Sequence, residues 1–243
     1  MEHLEERGTD RNRSSPPLAP RAVGAQIRFW VAGLLLAVAG LAFSIVLLMS
    51  PAVFQMYYPR MKIAPEVGDA VRIVHWLSGD ADGSALNFSL RRKISAKEIN
   101  HFTEVRRLFR KFPLVGAACL AAALGLLVMN RSQDKLFQKV SWRALGVWLL
   151  LAAVMGAFAV YDWPAFFAAI HYPFFGKTSW RLPDSCYSLH LFPTAFWKAM
   201  AGAVFVMTPS LAACFSFVAA RLIRSAHFFA GSNRRSGRLV ERA

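Results

Sequence analysis

The sequence predicts a membrane all-α protein, with four transmembrane helices and a small mixed extracytoplasmic cap built from two outer loops. Three observations predict it. Of 243 residues, 56% are hydrophobic, and 20 are Phe. The apolar residues gather into four runs, 29–49, 113–129, 144–161 and 199–220. No run contains a charged residue, which would cost about 3 kcal/mol at the centre of a bilayer. Each run is close to the ~20 residues that cross ~30 Å of hydrocarbon, the second and third being the shortest. A helix on the surface of a soluble domain would show a polar face every turn, and these do not.

Residues 1–27 are rich in Arg, Ser and Pro and read as a disordered basic tail. The run at 29–49 reads as a signal anchor. It is longer than a signal-peptide core, and Leu48-Met-Ser-Pro51 offers no small-x-small cleavage site. The first outer loop, 50–112, is too long and mixed for a bare connector, so it predicts a folded cap. Val71-Arg-Ile-Val-His-Trp-Leu77 has apolar residues at helical spacing. Gly79-Asp-Ala-Asp-Gly83 reads as a turn, and Leu86-Asn-Phe-Ser-Leu90 alternates like a short strand. Ser95 and Glu98 then form a capping box that opens a helix. Phe102, Val105, Phe109 and Phe112 make its apolar stripe, and Arg106, Arg107, Arg110 and Lys111 its basic side. In the next two spans Ala117, Ala121, Gly125, Gly146, Ala153 and Gly156 would allow close helix contacts.

The second outer loop, 162–198, starts a short helix with Asp162 as cap and Pro164 in the first turn. Its aromatic residues suit a lipid–water interface and would equally suit an acyl-chain groove. Pro209 predicts a bend in the fourth span. The bundle thus covers 28–223, followed by a basic tail at 224–243.

Lys and Arg in short flanks set orientation. Arg7, Arg11, Arg13, Arg21 and Arg28 precede the first span, and Arg131, Lys135, Lys139 and Arg143 join the second to the third. Arg221, Arg224, Arg234, Arg235, Arg238 and Arg242 follow the fourth. The opposite side carries nearly as many, mostly in one long loop, and long loops weigh little. Both termini are therefore expected in the cytoplasm, with the chain multi-pass in a plasma membrane. The net charge of +15 is spread over both faces without a nucleic-acid-binding module, so no nucleic-acid partner is expected. Anionic membrane lipids are the simpler partner. Cys119 and Cys214 lie in spans, leaving Cys186 as the lone outer thiol, so no disulfide is expected there.

The two outer loops bring two histidines to one face. His101 lies on the helix opened by Ser95, and His171 closes the short helix after Asp162. Histidine changes charge near neutral pH, so the pair suggests proton-transfer chemistry. Glu98 and His101 are at i and i+3, which lets the carboxylate contact and orient the ring. The plainer account is that Glu98 only caps the helix and His101 is a polar rim residue, and spacing leaves both open. No G-x-S-x-G elbow is present. A metal site from Glu98, His101 and His171 rests on a single E-x-x-H and is weakly indicated, so no metal or cofactor is expected. A histidine base acting on a nucleophile brought by the substrate needs least from the protein. A non-catalytic scaffold or lipid-binding protein, and a metal-dependent membrane hydrolase, are the alternatives.

At these histidines the chain resembles a known family. Glu98-Ile-Asn-His101-Phe-Thr-Glu-Val105 resembles an E-x-x-H-M-x-D-V pattern, with Phe102 for Met and Glu104 for Asp. Ile170-His-Tyr-Pro-Phe-Phe175, then Trp180 and Leu191-Phe-Pro193, resembles a second block, F-H-x-x-F-F before a Trp and a later F-P. His75-Trp-Leu-Ser-Gly79 is a fainter echo of Y-L-x-G. The family is the bacterial lipoprotein intramolecular transacylase. The resemblance implies transfer of an acyl chain from the glyceryl group of a diacylglyceryl lipoprotein to the α-amine of its N-terminal cysteine. It implies His101 and His171 as catalytic acid and base in either order, with Glu98 orienting His101. Tyr172, Trp180 and Arg72 are candidate oxyanion donors, and Phe175 would help line the acyl site.

Overall fold

The structure is a computed structural model that describes residues 20–63, 66–79, 90, 92–129, 134–176 and 179–240. Eight helices are found among the described residues. They are α1 (Pro20–Leu48), α2 (Pro51–Met61), α3 (Val67–Ser78), α4 (Ala96–Met129), α5 (Asp134–Tyr161), α6 (Trp163–Phe175), α7 (Tyr187–Leu191) and α8 (Thr194–Val240). There is no strand among these residues. The strand expected over 86–90 lies, apart from Leu90, outside the described residues, so the cap as described is helical rather than mixed.

Three helices are long and apolar enough to cross a membrane among the described residues, Val23–Leu48, Ala96–Met129 and Thr194–Ala219. The span expected over 144–161 falls inside α5, a helix of 28 residues. Its apolar part there is the shorter Trp148–Tyr161. α4 joins two expected elements: the helix opened by Ser95 and the run at 113–129 form one helix of 34 residues, continuous through Pro113. α1 begins at Pro20, inside the stretch expected to be a disordered tail, and α8 continues through the basic tail to Val240. Ala, Arg and Leu in those stretches favour helix, and no proline follows Pro209 to stop it.

α1 is the centre of the bundle, packing on α4, α5 and α8. At one end Phe29, Ala32 and Leu36 of α1 bury against Ala123 and Leu127 of α4 and Ala219 of α8. Nearer the other end the backbones close up. A Cβ on Gly40 would stand 2.8 Å from the Thr208 carbonyl oxygen, and one on Gly116 would stand 3.2 Å from the Phe43 ring. The close contacts are therefore at Gly40 and Gly116, not at the small residues expected. Gly125, Gly146 and Gly156 have open space where a Cβ would go. Ala117, Ala121 and Ala153 face outward. Small size marks a residue that permits contact; which face meets a neighbour is set by the partner helix.

The cap is a second core. Phe54 and Tyr58 of α2 bury with Ile73, Val74 and Leu77 of α3, Phe102 of α4 and Leu191, Phe192 and Phe196 around the start of α8. Phe54 stacks on Tyr58 with centroids 4.7 Å apart, and the Tyr58 hydroxyl donates to the Leu191 carbonyl. The basic side of α4 holds α3: Arg106 and Arg110 both donate to the Gly79 carbonyl, and Arg106 lies 4.6 Å over Trp76. Cations at a helix C-terminus offset its partial negative charge.

Candidate active site

α6 forms as its sequence requires. The Asp162 carboxylate accepts from the Ala165 N–H at 3.0 Å, capping the helix, and Pro164 fits the first turn. The helix ends at Gly176, whose φ of 66° and ψ of −158° suit a residue without Cβ. That turn carries Trp180 back over the helix, where its indole N–H donates to the Gly176 carbonyl at 3.0 Å.

His171 is held from three directions. Its Nδ1 is 2.7 Å from the Phe167 carbonyl oxygen, one turn back, so Nδ1–H donates and Nε2 keeps its lone pair. The imidazole lies against Phe167 with centroids 3.9 Å apart and against Trp180 at 4.9 Å. Burial holds its pKa below the ordinary value of 6.5, and the bond to Phe167 only partly opposes this. The ring is therefore neutral at neutral pH, with the lone pair on Nε2.

α4 brings His101 to the same place. Phe175 packs against both imidazoles, 5.1 Å from His101 and 5.5 Å from His171, so the rings are no farther apart than those two distances together. Lys97, one turn before His101, donates to the Arg181 carbonyl at 2.6 Å and ties the start of α4 to the chain beyond α6. The His101 Nδ1 is buried with no hydrogen-bond partner. A proton there would be an unsatisfied donor, which favours the tautomer with the proton on Nε2.

Glu98 is buried at 2% exposure but does not orient His101. One of its oxygens accepts from the Ser95 N–H and hydroxyl at 2.7 and 2.8 Å, and the other from the Ser188 N–H and hydroxyl at 2.8 and 2.7 Å. Four donors outweigh one imidazole, so the carboxylate fastens the start of α4 to α7. Arg72 is also elsewhere: it pairs with Asp69 at 2.7 Å, and Asp69 accepts from the Tyr187 hydroxyl. Tyr172 and Trp180 are beside His171, bridged by Arg181, which donates to the Tyr172 hydroxyl at 2.7 Å and lies 5.3 Å over the Trp180 ring. Among the described residues no three His, Cys, Asp or Glu side chains converge as a metal-binding group.

The sequence model of the lipoprotein intramolecular transacylase Lit matches residues 30–197, more than half of the chain. The chain belongs to that family. As a transacylase it is an acyltransferase. Its fold is similar to that of the membrane-integral lipoprotein intramolecular transacylase of Bacillus cereus, with a TM-score of 0.60 at 16% identity. That match covers 88% of this chain and 99% of the other. A histidine-to-arginine variant of the Bacillus cereus protein matches with a TM-score of 0.59 at 16% identity, over 89% and 96% of the two chains. No curated protein sequence matches this one.

Within this transacylase, sequence reasoning passed over four residues that build the site. The i, i+4 spacing of Phe167 and His171 was a readable signal, since it permits a ring-to-carbonyl bond on one helix face. Arg181 and Lys97 were visible only as positive charge, and Ser188 gave no signal because its role depends on α7 docking against α4.

Proposed function

We propose that this transacylase moves an acyl chain from the glyceryl moiety of a diacylglyceryl lipoprotein to the α-amine of the N-terminal cysteine. The product is a lyso-form N-acyl lipoprotein, made by general acid/base catalysis with His101 and His171. The observation that carries this reading is the pair of buried imidazoles that both pack on the Phe175 ring. The His171 Nε2 takes a proton from the amine as nitrogen attacks the ester carbonyl. The His101 Nε2–H donates to the carbonyl oxygen as charge develops on it. His171 then returns a proton to the departing glyceryl oxygen. One ester C–O bond breaks, one amide C–N bond forms, and the extra proton of the initial ammonium goes to solvent. An α-amine has a pKa of about 7.7–8.0, within reach of an imidazole base. Proton transfer of this kind contributes roughly 10²–10⁴-fold, and holding amine and ester together contributes more.

Tyr172, Trp180 and Phe175 line the acyl site in this reading, and Arg181 steadies the first two. The membrane arrangement that supports it has four spans, both termini in the cytoplasm and the cap outside. The basic flanks of the cytoplasmic end then meet anionic lipid headgroups. Mass spectrometry of a co-expressed lipoprotein's N-terminal peptide tests the reaction. Wild type is expected to give an N-acyl, lyso-glyceryl peptide, and His101→Ala and His171→Ala the unmodified diacyl form. Full conversion by either variant overturns the histidine roles, and no conversion by the wild type overturns the reaction.

A further inference from the structure

Glu104 has one carboxylate oxygen set apart from every donor on the described chain. Its Oε2 is buried, and no hydrogen bond reaches that oxygen. Three buried side-chain atoms among the described residues have no hydrogen-bond partner, and two of them, the His101 Nδ1 and the Glu104 Oε2, are one turn apart on α4. Buried polar groups are nearly always bonded, so two such atoms one turn apart on a helix call for a partner from outside the described chain.

The direction of that face follows from its neighbours. Lys97, His101 and Glu104 recur at i, i+4 and i+7, which is one stripe of a helix. Lys97 donates to the Arg181 carbonyl, and His101 packs edge-on against Phe175. The Lys97 and His101 part of the stripe therefore faces Arg181 and Phe175, and Glu104 is its next member toward the apolar run that starts at Pro113. The cap core lies on the other side of His101, where Phe102 is buried.

The proposed reaction brings one cation to this site, the α-ammonium of the lipoprotein's N-terminal cysteine. A buried cation needs a paired anion, and both Glu98 oxygens are already taken by Ser95 and Ser188. We infer that Glu104 binds that α-ammonium and selects lipoproteins whose N-terminal amine is free. The assignment rests on the transacylation reading. The ammonium binds as the partner of the carboxylate and gives up its extra proton to solvent before the nitrogen attacks, so Glu104 acts in binding and not in the acyl transfer itself.

A dialkyl-ether lipopeptide, which has no ester to react, separates binding from chemistry. Two forms are compared on the detergent-solubilised full chain, one with a free α-amine and one acetylated at that nitrogen. Wild type is expected to prefer the free amine by roughly ten- to a hundredfold, the scale of a charge-assisted hydrogen bond. Glu104→Gln is expected to bind both forms equally, at the wild-type affinity for the acetylated one, and Glu104→Asp to keep part of the preference. Glu66→Gln removes a carboxylate elsewhere in the cap and is expected to leave the preference intact. A preference that persists in Glu104→Gln, disappears equally in Glu66→Gln, or is missing from the wild type overturns the assignment. The wild-type reaction with an ester-bearing lipoprotein is scored separately. Acyl transfer with an unselective site overturns only the role of Glu104, whereas no acyl transfer overturns the reading beneath it.

Discussion

Replacing Glu98 with alanine separates a structural role from a catalytic one. The substitution strips the acceptor from two donors on Ser95 and two on Ser188. Ser95 is exposed and recovers water, but Ser188 is buried at 3% exposure and does not. Leaving its N–H and hydroxyl unsatisfied costs about 1–3 kcal/mol each, or roughly 2–6 kcal/mol together. At about 2–4 °C per kcal/mol for a chain of this size, the melting temperature falls by roughly 10 °C. Thermal unfolding of purified protein in detergent measures that, and acyl transfer well below the new midpoint measures what remains of catalysis. Because Glu98 does not touch the His101 ring, the variant is expected to be unstable but to keep the pH dependence of the wild-type rate. A Glu98→Ala protein that melts with the wild type yet has lost acyl transfer would refute this reasoning. Only a direct hold on His101 gives that pattern.

Three further outcomes follow from the geometry. Burial lowers the pKa of His171, so its imidazole stays neutral down to a pH below 6.5 and gains its proton only beneath that. ¹⁵N-histidine spectra, with the signal assigned by its loss in His171→Gln, check this, and a midpoint at or above the ordinary value contradicts it. Gly40→Ala sets a Cβ against the Thr208 carbonyl oxygen and should destabilise the bundle by about 1–3 kcal/mol, while Gly125→Ala, with open space around it, should be neutral or slightly stabilising. Equal melting temperatures for the two would mean that α1 and α8 do not approach at Gly40. Gly176→Ala strains the turn that carries Trp180 over His171, at about 1–3 kcal/mol, and is expected to lower acyl transfer more than it lowers stability. Unchanged transfer would show that the turn does not position the indole.

The apolar runs at 29–49, 113–129 and 199–220 were legible because a membrane span declares itself by length and absence of charge. The continuity of α4 was not. Pro113 reads as a boundary, yet a proline in a membrane helix can be accommodated when its neighbours absorb the lost N–H, and the helix passes through it. The capping box at Ser95 does start a helix, but the i, i+3 spacing that lets Glu98 reach His101 as well produces no such contact. Sequence spacing lists the partners a side chain can reach along its own helix. It does not show a competitor such as Ser188, which arrives from a distant part of the chain. In the same way Glu104, read as one letter of a motif, gave no hint of its burial, since burial depends on what packs against that face.

The unbroken α4 couples the site mechanically to the apolar run beyond Pro113. His101 stands twelve residues before Pro113, about 18 Å along a helix rising 1.5 Å per residue, and moves with the embedded part as one rod. His171 is on a different element, joined to α5 through Asp162. Any force that tilts the embedded part of α4 is therefore carried to His101, and the bonds from Lys97 to the Arg181 carbonyl and from Ser188 to Glu98 are what hold that end against it.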